Sequence, residues 1–388
     1  YYAAMSSKLV FDLKNTPPGL LVWIVSTPAK GEELVWAMDE YRGRDEVGDR
    51  FFEIEYDYDH FSRGEPKKVA EYGYTLPNIK EHGGVCAEQA YFAANVGKAI
   101  GVPATYVRAR GASMGHAWVG YLEKRGRRVA WNFDHGRYRD YQNIKGEIKH
   151  PTSGKTVADG VVGLTAELYG TSDAERFVAA AMTDAARRLA ALGAPPAEPW
   201  IIPSRIEAAA AEPDSTEEDA EAENRRTTLA DETSVTLQPR EASVAAQLKL
   251  IMEGQKACPA YARGWFTVRD MATEGKLDLE QKKYWAGATE KMCGSKYPDF
   301  TLALLKPMIQ TVDDVAQQDA LWDSVEWLFR RRPDLRAEVL VARAKMWEKQ
   351  GENDRAGRCY ERVIQRHIND GPFVIDALEN TARMLKSV

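Results

Sequence analysis

The spacing of apolar residues changes along the chain and divides it into two parts. Beyond about residue 243 apolar positions recur at helical intervals, as at Trp322 and Val325. In the first 165 residues the apolar runs are short, strand-like and interleaved with glycine and aromatic residues. We therefore predict an α+β domain over residues 1–165, a helical extension over 166–192 and an all-α module over 243–388.

One stretch of the all-α module resembles a tetratricopeptide repeat. Small and aromatic residues fall at the offsets that let paired helices pack closely in such repeats. These positions are Ala344, Trp347, Gly351, Ala356 and Tyr360. Because only one partial repeat is visible, a helical-repeat array and a plain helical bundle both remain open.

Three runs in the first part have the composition of β-strands. They cover residues 105–110, 116–123 and 127–134. Residues 124–126 between the last two read as a three-residue hairpin loop with glycine in third place. Such a loop pairs Glu123 with Arg127.

This register predicts which polar side chains meet across the hairpin. His116 falls opposite Asp134, close enough for the carboxylate to accept a hydrogen bond from the imidazole. Trp118 and Asn132 pair on the same face, because side chains on one face recur every second residue. His135 is a rival base, but it is adjacent to Asp134 in the sequence. If the strand continues, its side chain should lie on the opposite face of the sheet.

Cys86 stands at a predicted helix start. Gly83 and Gly84 permit a tight turn before it, and helical spacing continues to Ile100. Backbone N–H groups and the helix dipole favour a thiolate there, so we expect the pKa of Cys86 below the free value of about 8.5. A lone cysteine is more often a small buried residue. The nucleophile interpretation therefore depends on a base and an acid elsewhere.

Cys86, His116 and Asp134 supply a nucleophile, a base and an orienting carboxylate, which thiol acyl transfer requires. The backbone N–H of Cys86 would form half of an oxyanion hole, whose second donor the sequence does not place. Gln89, one turn further along, is interpreted as an ordinary helix residue.

Three segments around these residues resemble the transglutaminase-like superfamily in its bacterial branch. They are residues 83–90 (GGVCAEQA), 115–119 (GHAWV) and 131–134 (WNFD), and residues 136–138 (GRY) continue the likeness. The resemblance covers roughly residues 50–145. It implies a papain-like fold in which the cysteine helix packs on an antiparallel sheet, with Cys86, His116 and Asp134 as the catalytic triad.

The reaction implied is acyl transfer on protein or peptide amides through a cysteine thioester. Amine attack would give cross-linking, and water attack would make the protein a cysteine peptidase or amidase. Trp118 is the candidate wall of a substrate groove, with core filling as its alternative. A third hypothesis is an inactive scaffold that binds a protein partner through the C-terminal helices.

Composition narrows the remaining function classes. The chain has 52 Lys and Arg against 58 Asp and Glu, a net charge of -6, so bulk charge does not favour nucleic acid. No apolar run approaches the roughly 20 residues of a membrane span. Four cysteines are too few for a disulfide scaffold. Residues 207–223 contain eight acidic residues and no basic ones, and prolines lie at 195, 196, 199 and 213. This composition predicts a linker over 193–242.

No cofactor or metal is predicted. Residues 55–59 alternate acids as a calcium loop does, but His60 and Pro66 occupy the positions that require glycine and glutamate. The first residue, Tyr1, leads us to expect a processed chain or a fragment. Export to the cell envelope, with a signal peptide removed, is compatible with this start, and the compartment stays open.

Overall fold

The computed structural model describes residues 1–111, 114–126, 128–142, 144–192, 239–294 and 296–386. In these residues the protein is an α+β chain, mostly helical, with one antiparallel sheet. Most of the predicted linker, residues 193–238, lies outside the described residues. A helix begins at Pro239, within the stretch predicted as linker.

Seven helices precede the first strand. They are α1 (Tyr2–Met5), α2 (Pro18–Val25), α3 (Gly31–Tyr41), α4 (Asp49–Phe52), α5 (Tyr58–Arg63), α6 (Leu76–His82) and α7 (Cys86–Ala99). Helix α7 is the central element, with Ala90, Phe92 and Val96 fully buried. It ends at Ile100 and Gly101, and the positive φ of Gly101 (83°) stops the helix where the sequence predicts.

Five strands form the sheet in the order β3-β2-β1-β4-β5, and all neighbours are antiparallel. The strands are β1 (Ala104–Arg110), β2 (Gly115–Arg125), β3 (Arg128–Asn132), β4 (Glu147–Lys149) and β5 (Thr156–Ala158). The first three correspond to the predicted runs. Helix α7 packs against β1 and β2, and its small alanine side chains permit the close approach.

The predicted hairpin register is wrong by three residues. Glu123 pairs with Ala130 rather than with Arg127, and only positions 126 and 127 separate the paired Arg125 and Arg128. Gly126 has a φ of 63°, the left-handed conformation that tight hairpin connections require. The shorter connection moves every predicted partner.

Ten further helices follow the sheet in the described residues. They are α8 (Asp159–Leu164), α9 (Asp173–Leu192), α10 (Pro239–Ala257), α11 (Ala262–Thr273), α12 (Leu279–Met292), α13 (Pro298–Gln310), α14 (Val315–Leu328), α15 (Pro333–Lys349), α16 (Asn353–Arg366) and α17 (Phe373–Lys386). Helices α8–α13 share one apolar core around Trp265 and Trp285. A second core, around Trp322 and Tyr360, lies mainly among α14–α17.

Helices α15 and α16 form the helical hairpin that the tetratricopeptide-like offsets suggest. Ala344, Ala356 and Tyr360 are fully buried between packed helices, and Gly351 in the turn has a φ of 76°. The hairpin suits a repeat array and a bundle equally, so the array stays a prediction. Within the described residues, none of the helices has the length and apolarity needed to cross a bilayer.

Candidate active site

The start of α7 is held by backbone pairing with the segment before α5. Gly84 donates its N–H to the carbonyl of Glu55 and accepts from the N–H of Asp57, both at 3.0 Å. Gly83 has a φ of 77°, and a Cβ there would lie 2.5 Å from the Glu55 oxygen. Only glycine fits this position, so the pair of glycines fixes the direction in which Cys86 enters the helix.

A carboxylate completes the helix start. Glu88 accepts the N–H of Val85 at 3.0 Å with one oxygen and pairs with the ammonium of Lys67 at 2.7 Å with the other. An acidic side chain at this position satisfies an otherwise unpaired N–H group of the first turn. Cys86 thus lies at a rigid helix terminus.

The Cys86 thiol is half-buried and faces the beginning of β2. The backbone N–H groups of Ala117 and Ala87 contact its sulfur and favour the thiolate, but burial outweighs them and raises the pKa of Cys86. The prediction of a lowered pKa is therefore wrong, because desolvation disfavours the charged sulfur more than the helix terminus favours it.

His116 lies on β2, immediately before Ala117, the residue beside the Cys86 thiol. Its Nε2 lies 2.6 Å from the carbonyl oxygen of Gly136. The ring stacks on Tyr138, with centroids 4.1 Å apart, and is packed by Tyr141 at 4.8 Å. Burial lowers the pKa of His116, although the Gly136 carbonyl partly offsets this effect.

The Gly136 contact determines the tautomer of His116. A carbonyl oxygen can only accept, so Nε2 must carry a proton. In the neutral imidazole the lone pair then resides on Nδ1, which is the nitrogen available to take a proton. The raised pKa of Cys86 and the lowered pKa of His116 both favour a neutral thiol beside a neutral imidazole.

Asp134 is not placed opposite His116. Strand β3 ends at Asn132, whose side-chain oxygen accepts the N–H of Asp134 at 2.9 Å. The Asp134 carboxylate is exposed, and the polar partner of the His116 ring among the described residues is the Gly136 carbonyl. Cys86 and His116 therefore lie near the same part of β2, while Asp134 is not the partner of the His116 ring, and the triad itself stays a prediction.

Trp118 does not line a groove. It is fully buried in the sheet core, beneath the guanidinium of Arg137 at 4.9 Å, and it pairs across the sheet with Val107, not with Asn132. Its alternative role as a core residue is the one that the structure supports. The prediction of a groove wall fails because the hairpin register is shifted and because the face of the sheet that carries Trp118 is buried.

Two further predictions concern neighbours of the triad. Gln89 is 5% exposed and donates its side-chain N–H to the carbonyl of Ile54 at 2.9 Å, so it acts as a structural residue of the helix. His135, the rival base, directs Nδ1 to the hydroxyl of Tyr121 at 3.2 Å. It is therefore engaged away from the Cys86 thiol.

Tyrosines surround the thiol, and sequence reasoning missed them. Tyr56, Tyr106, Tyr138 and Tyr141 each lie near enough to Cys86 that ionised sulfur would raise their pKa values, after the larger effect of burial. Tyr138 is 46% exposed, so its ring forms the outer wall beside His116. These residues come from three separate segments, so no local motif signals their meeting.

The neighbouring surface is also aromatic. Tyr58 packs on Tyr56 with ring centroids 4.9 Å apart, and Phe61 packs on the same ring at 5.7 Å. Their exposed fractions are 68% and 53%. A thiol bordered by exposed rings can receive an apolar or aromatic part of a substrate.

The acidic run at residues 55–59 has a structural explanation. Asp57 is 2% exposed and accepts the N–H groups of His60 and Lys68. Burial alone would raise the pKa of Asp57, but these two N–H groups lower it overall. Among the residues that the structure describes, no cluster of three or more His, Cys, Asp or Glu side chains is arranged to hold a metal ion.

Comparison with known proteins adds no family assignment. No protein-family model matches the sequence, and no curated protein or solved structure is significantly similar to it.

Proposed function

We propose that the protein is a thiol acyltransferase of the transglutaminase-like type, acting on amides of proteins or peptides. The observation that carries the proposal is that Cys86 begins helix α7, which packs on strand β2, and that its thiol lies beside Ala117, the residue next to His116 on that strand. The packing of α7 on an antiparallel sheet that bears the histidine supports a papain-like arrangement.

The reaction begins with the neutral pair. As the Cys86 sulfur attacks the amide carbon, the thiol proton moves to Nδ1 of His116. His116 then gives this proton to the nitrogen of the leaving group, the C–N bond breaks, and a thioester remains on Cys86. A primary amine then attacks the thioester carbon, the new C–N bond forms and the C–S bond breaks. The proton that the amine loses passes through His116 to the Cys86 sulfur, and the thiol is restored.

The Gly136 carbonyl orients His116 in this proposal. It accepts the Nε2 proton whether the imidazole is neutral or charged, and so it holds the ring in one tautomer. Asp134, two residues earlier and exposed, is the residue that the family resemblance would place in this role. Its contribution is tested separately below.

The exposed rings of Tyr58, Phe61 and Tyr138 are the proposed substrate surface, in place of Trp118. Flat aromatic surfaces beside a nucleophile bind side chains of extended peptides with little loss of side-chain entropy.

The test is to incubate the protein with a glutamine-containing peptide and a fluorescent primary amine. Wild-type protein should attach the amine to the peptide, and Cys86→Ala and His116→Gln should abolish the reaction. Cys359→Ala is the matched control, because Cys359 is buried in the helical core, 7% exposed. Asp134→Asn should retain activity if Gly136 alone orients the ring.

Other outcomes would redirect the proposal. Release of ammonia or peptide fragments without amine attachment would identify a hydrolase that uses the same thioester. An absence of Cys86-dependent turnover on a broad panel of peptides and proteins would refute the enzymatic proposal and favour the scaffold hypothesis.

A further inference from the structure

The loop that holds His116 is shaped by one arginine. Residues 136–142 and 144–146, together termed here the histidine loop, begin with the Gly136 carbonyl that accepts the imidazole proton. The next residue, Arg137, donates to the carbonyl of Tyr141 at 2.9 Å and to that of Ile144. Its guanidinium therefore closes the loop on itself next to the Gly136 carbonyl.

Arg137 is also tied to the helices beyond the sheet. It pairs at 3.2 Å with Asp159, at the start of α8, and both side chains are largely buried. Asp299 of α13 lies close to the start of α8. A Cβ added to Gly160, the residue after Asp159, would lie 2.7 Å from the Asp299 Oδ2. The guanidinium of Arg332 donates two hydrogen bonds to the Asp299 carboxylate, each 2.9 Å long. Two Arg–Asp pairs therefore meet between the loop and the helical region, with the carboxyl groups of Asp159 and Asp299 next to each other.

The far end of the histidine loop is anchored to α15 directly. The backbone N–H of Lys145 donates to Oδ2 of Asp334 at 3.1 Å, and its ammonium pairs with Glu338. Asp334 and Glu338 are 2% and 7% exposed. Glu338 is shared with a second ammonium, that of Lys306 on α13, at 2.8 Å. Removing one partner of a buried carboxylate leaves its charge uncompensated and destabilises the folded state.

We infer that α15 positions the catalytic histidine, with Asp334 and Glu338 as positioning residues that act through Lys145 and the histidine loop. This inference rests on the proposed function and extends it, because the helical region becomes part of the catalytic apparatus. Any partner that displaced α15 would then alter the orientation of His116 without touching Cys86.

The test compares Lys145→Met with Lys306→Met. Both substitutions remove one ammonium from the same carboxylate, and both side chains of the wild-type residues are 31% exposed. Only Lys145→Met removes the side-chain link between the loop and α15, while the backbone N–H of residue 145 still donates to Asp334 in both variants. It should lower kcat/KM of Cys86-dependent amine transfer on the order of tenfold, as small misplacements of catalytic groups do. Lys306→Met should stay near wild type.

A second readout does not depend on turnover. In spectra of protein labelled with ¹⁵N-histidine, His116 is assigned by loss of its signal in His116→Gln. Lys145→Met should move the titration midpoint of His116 upward, because a loosened loop exposes the ring, and Lys306→Met should not. Equal effects of the two variants on both readouts, or no effect of either, would overturn the inference.

The two proposals can fail separately. If wild-type protein shows no turnover, the proposed function fails, while the histidine titrations still decide whether α15 positions the ring. If turnover is present and Lys145→Met leaves both kcat/KM and the titration unchanged, only the positioning role fails.

Discussion

The protonation state of the Cys86–His116 pair can be measured by alkylation of the thiol across a range of pH. Burial raises the pKa of Cys86 despite the N–H groups of Ala117 and Ala87, and burial lowers the pKa of His116. Both shifts oppose charge separation. We therefore expect a neutral pair at pH 7 rather than a thiolate and an imidazolium.

The magnitude follows from the direction of the thiol shift. A thiol with the usual pKa of about 8.5 is roughly 3% thiolate at pH 7. Because the pKa of Cys86 is raised, its thiolate fraction should lie below that value. The alkylation rate at pH 7 should thus be under about 3% of its plateau at high pH, rising about tenfold per pH unit in between.

The assay is site-resolved mass spectrometry after brief exposure to iodoacetamide between pH 5 and 10. Cys258, Cys293 and Cys359 are internal controls, since they are 0%, 2% and 7% exposed and should react slowly in the native protein. In His116→Gln the Cys86 profile should keep its shape, because the imidazole is not a counter-ion of the resting thiol.

An ion pair would give a different profile. A thiolate stabilised by imidazolium reacts at a nearly constant rate from about pH 5 to 8, and that plateau disappears when the histidine is replaced. Observation of such a plateau, lost in His116→Gln, would refute the conclusion that burial dominates this site.

Three other substitutions, one of them with a matched control, test the packing and charges around the site. Gly136→Ala should destabilise the protein by about 2–4 kcal/mol in urea unfolding, because φ is 76° there and the new methyl would lie 2.6 Å from a buried phenylalanine ring. Trp118→Ala should cost about 3–5 kcal/mol, whereas Trp327→Ala, 67% exposed in the wild type, should cost under about 1 kcal/mol. Burial and Asp299 raise the pKa of Asp159 to about 7, so the folded state binds an extra proton between roughly pH 4 and 7, and the free energy of unfolding should fall as pH rises through that window. Asp159→Asn should remove most of this slope, and an unchanged slope would contradict the assignment.

Local signals in the sequence predict the elements that carry the site. Gly83 is needed where the backbone approaches Glu55, and Gly84 is needed where the Glu88 side chain packs against it, so the start of α7 at Cys86 can be predicted without a structure. The strands bearing His116 and Trp118 follow from their composition. In each case the residues that determine the helix start or the strand are close together in the sequence.

The hairpin register is harder to predict, because it depends on the number of residues assigned to the turn. Gly126 can serve as the third residue of a three-residue loop or in a two-residue connection, and its positive φ suits both. The actual connection pairs Arg125 with Arg128 and shifts the partner of every residue on β2 by three positions. The predicted His116–Asp134 contact depended on that single assumption.

Long-range features were not predictable from residue spacing. Tyr56, Tyr106, Tyr138 and Tyr141 come together only after α7 packs on the sheet. The same packing desolvates Cys86, which reverses the pKa shift expected from its helix terminus. A helix dipole is a local property, whereas burial depends on segments that are distant in sequence.

A neutral pair determines what the rest of the site must provide. Because no thiolate is stored, the proton of Cys86 has to move during attack, and Nδ1 of His116 must already face it. A carbonyl such as that of Gly136 supplies orientation but only a partial negative charge for the imidazolium that forms. The fixed position of His116 then has to contribute more to lowering the reaction barrier than stabilisation of the imidazolium charge does. The buried links from Arg137 to Asp159 and from Lys145 to Asp334 give the histidine loop the rigidity that this requires. In the proposed reaction, these buried links would connect the helical region to the orientation of His116.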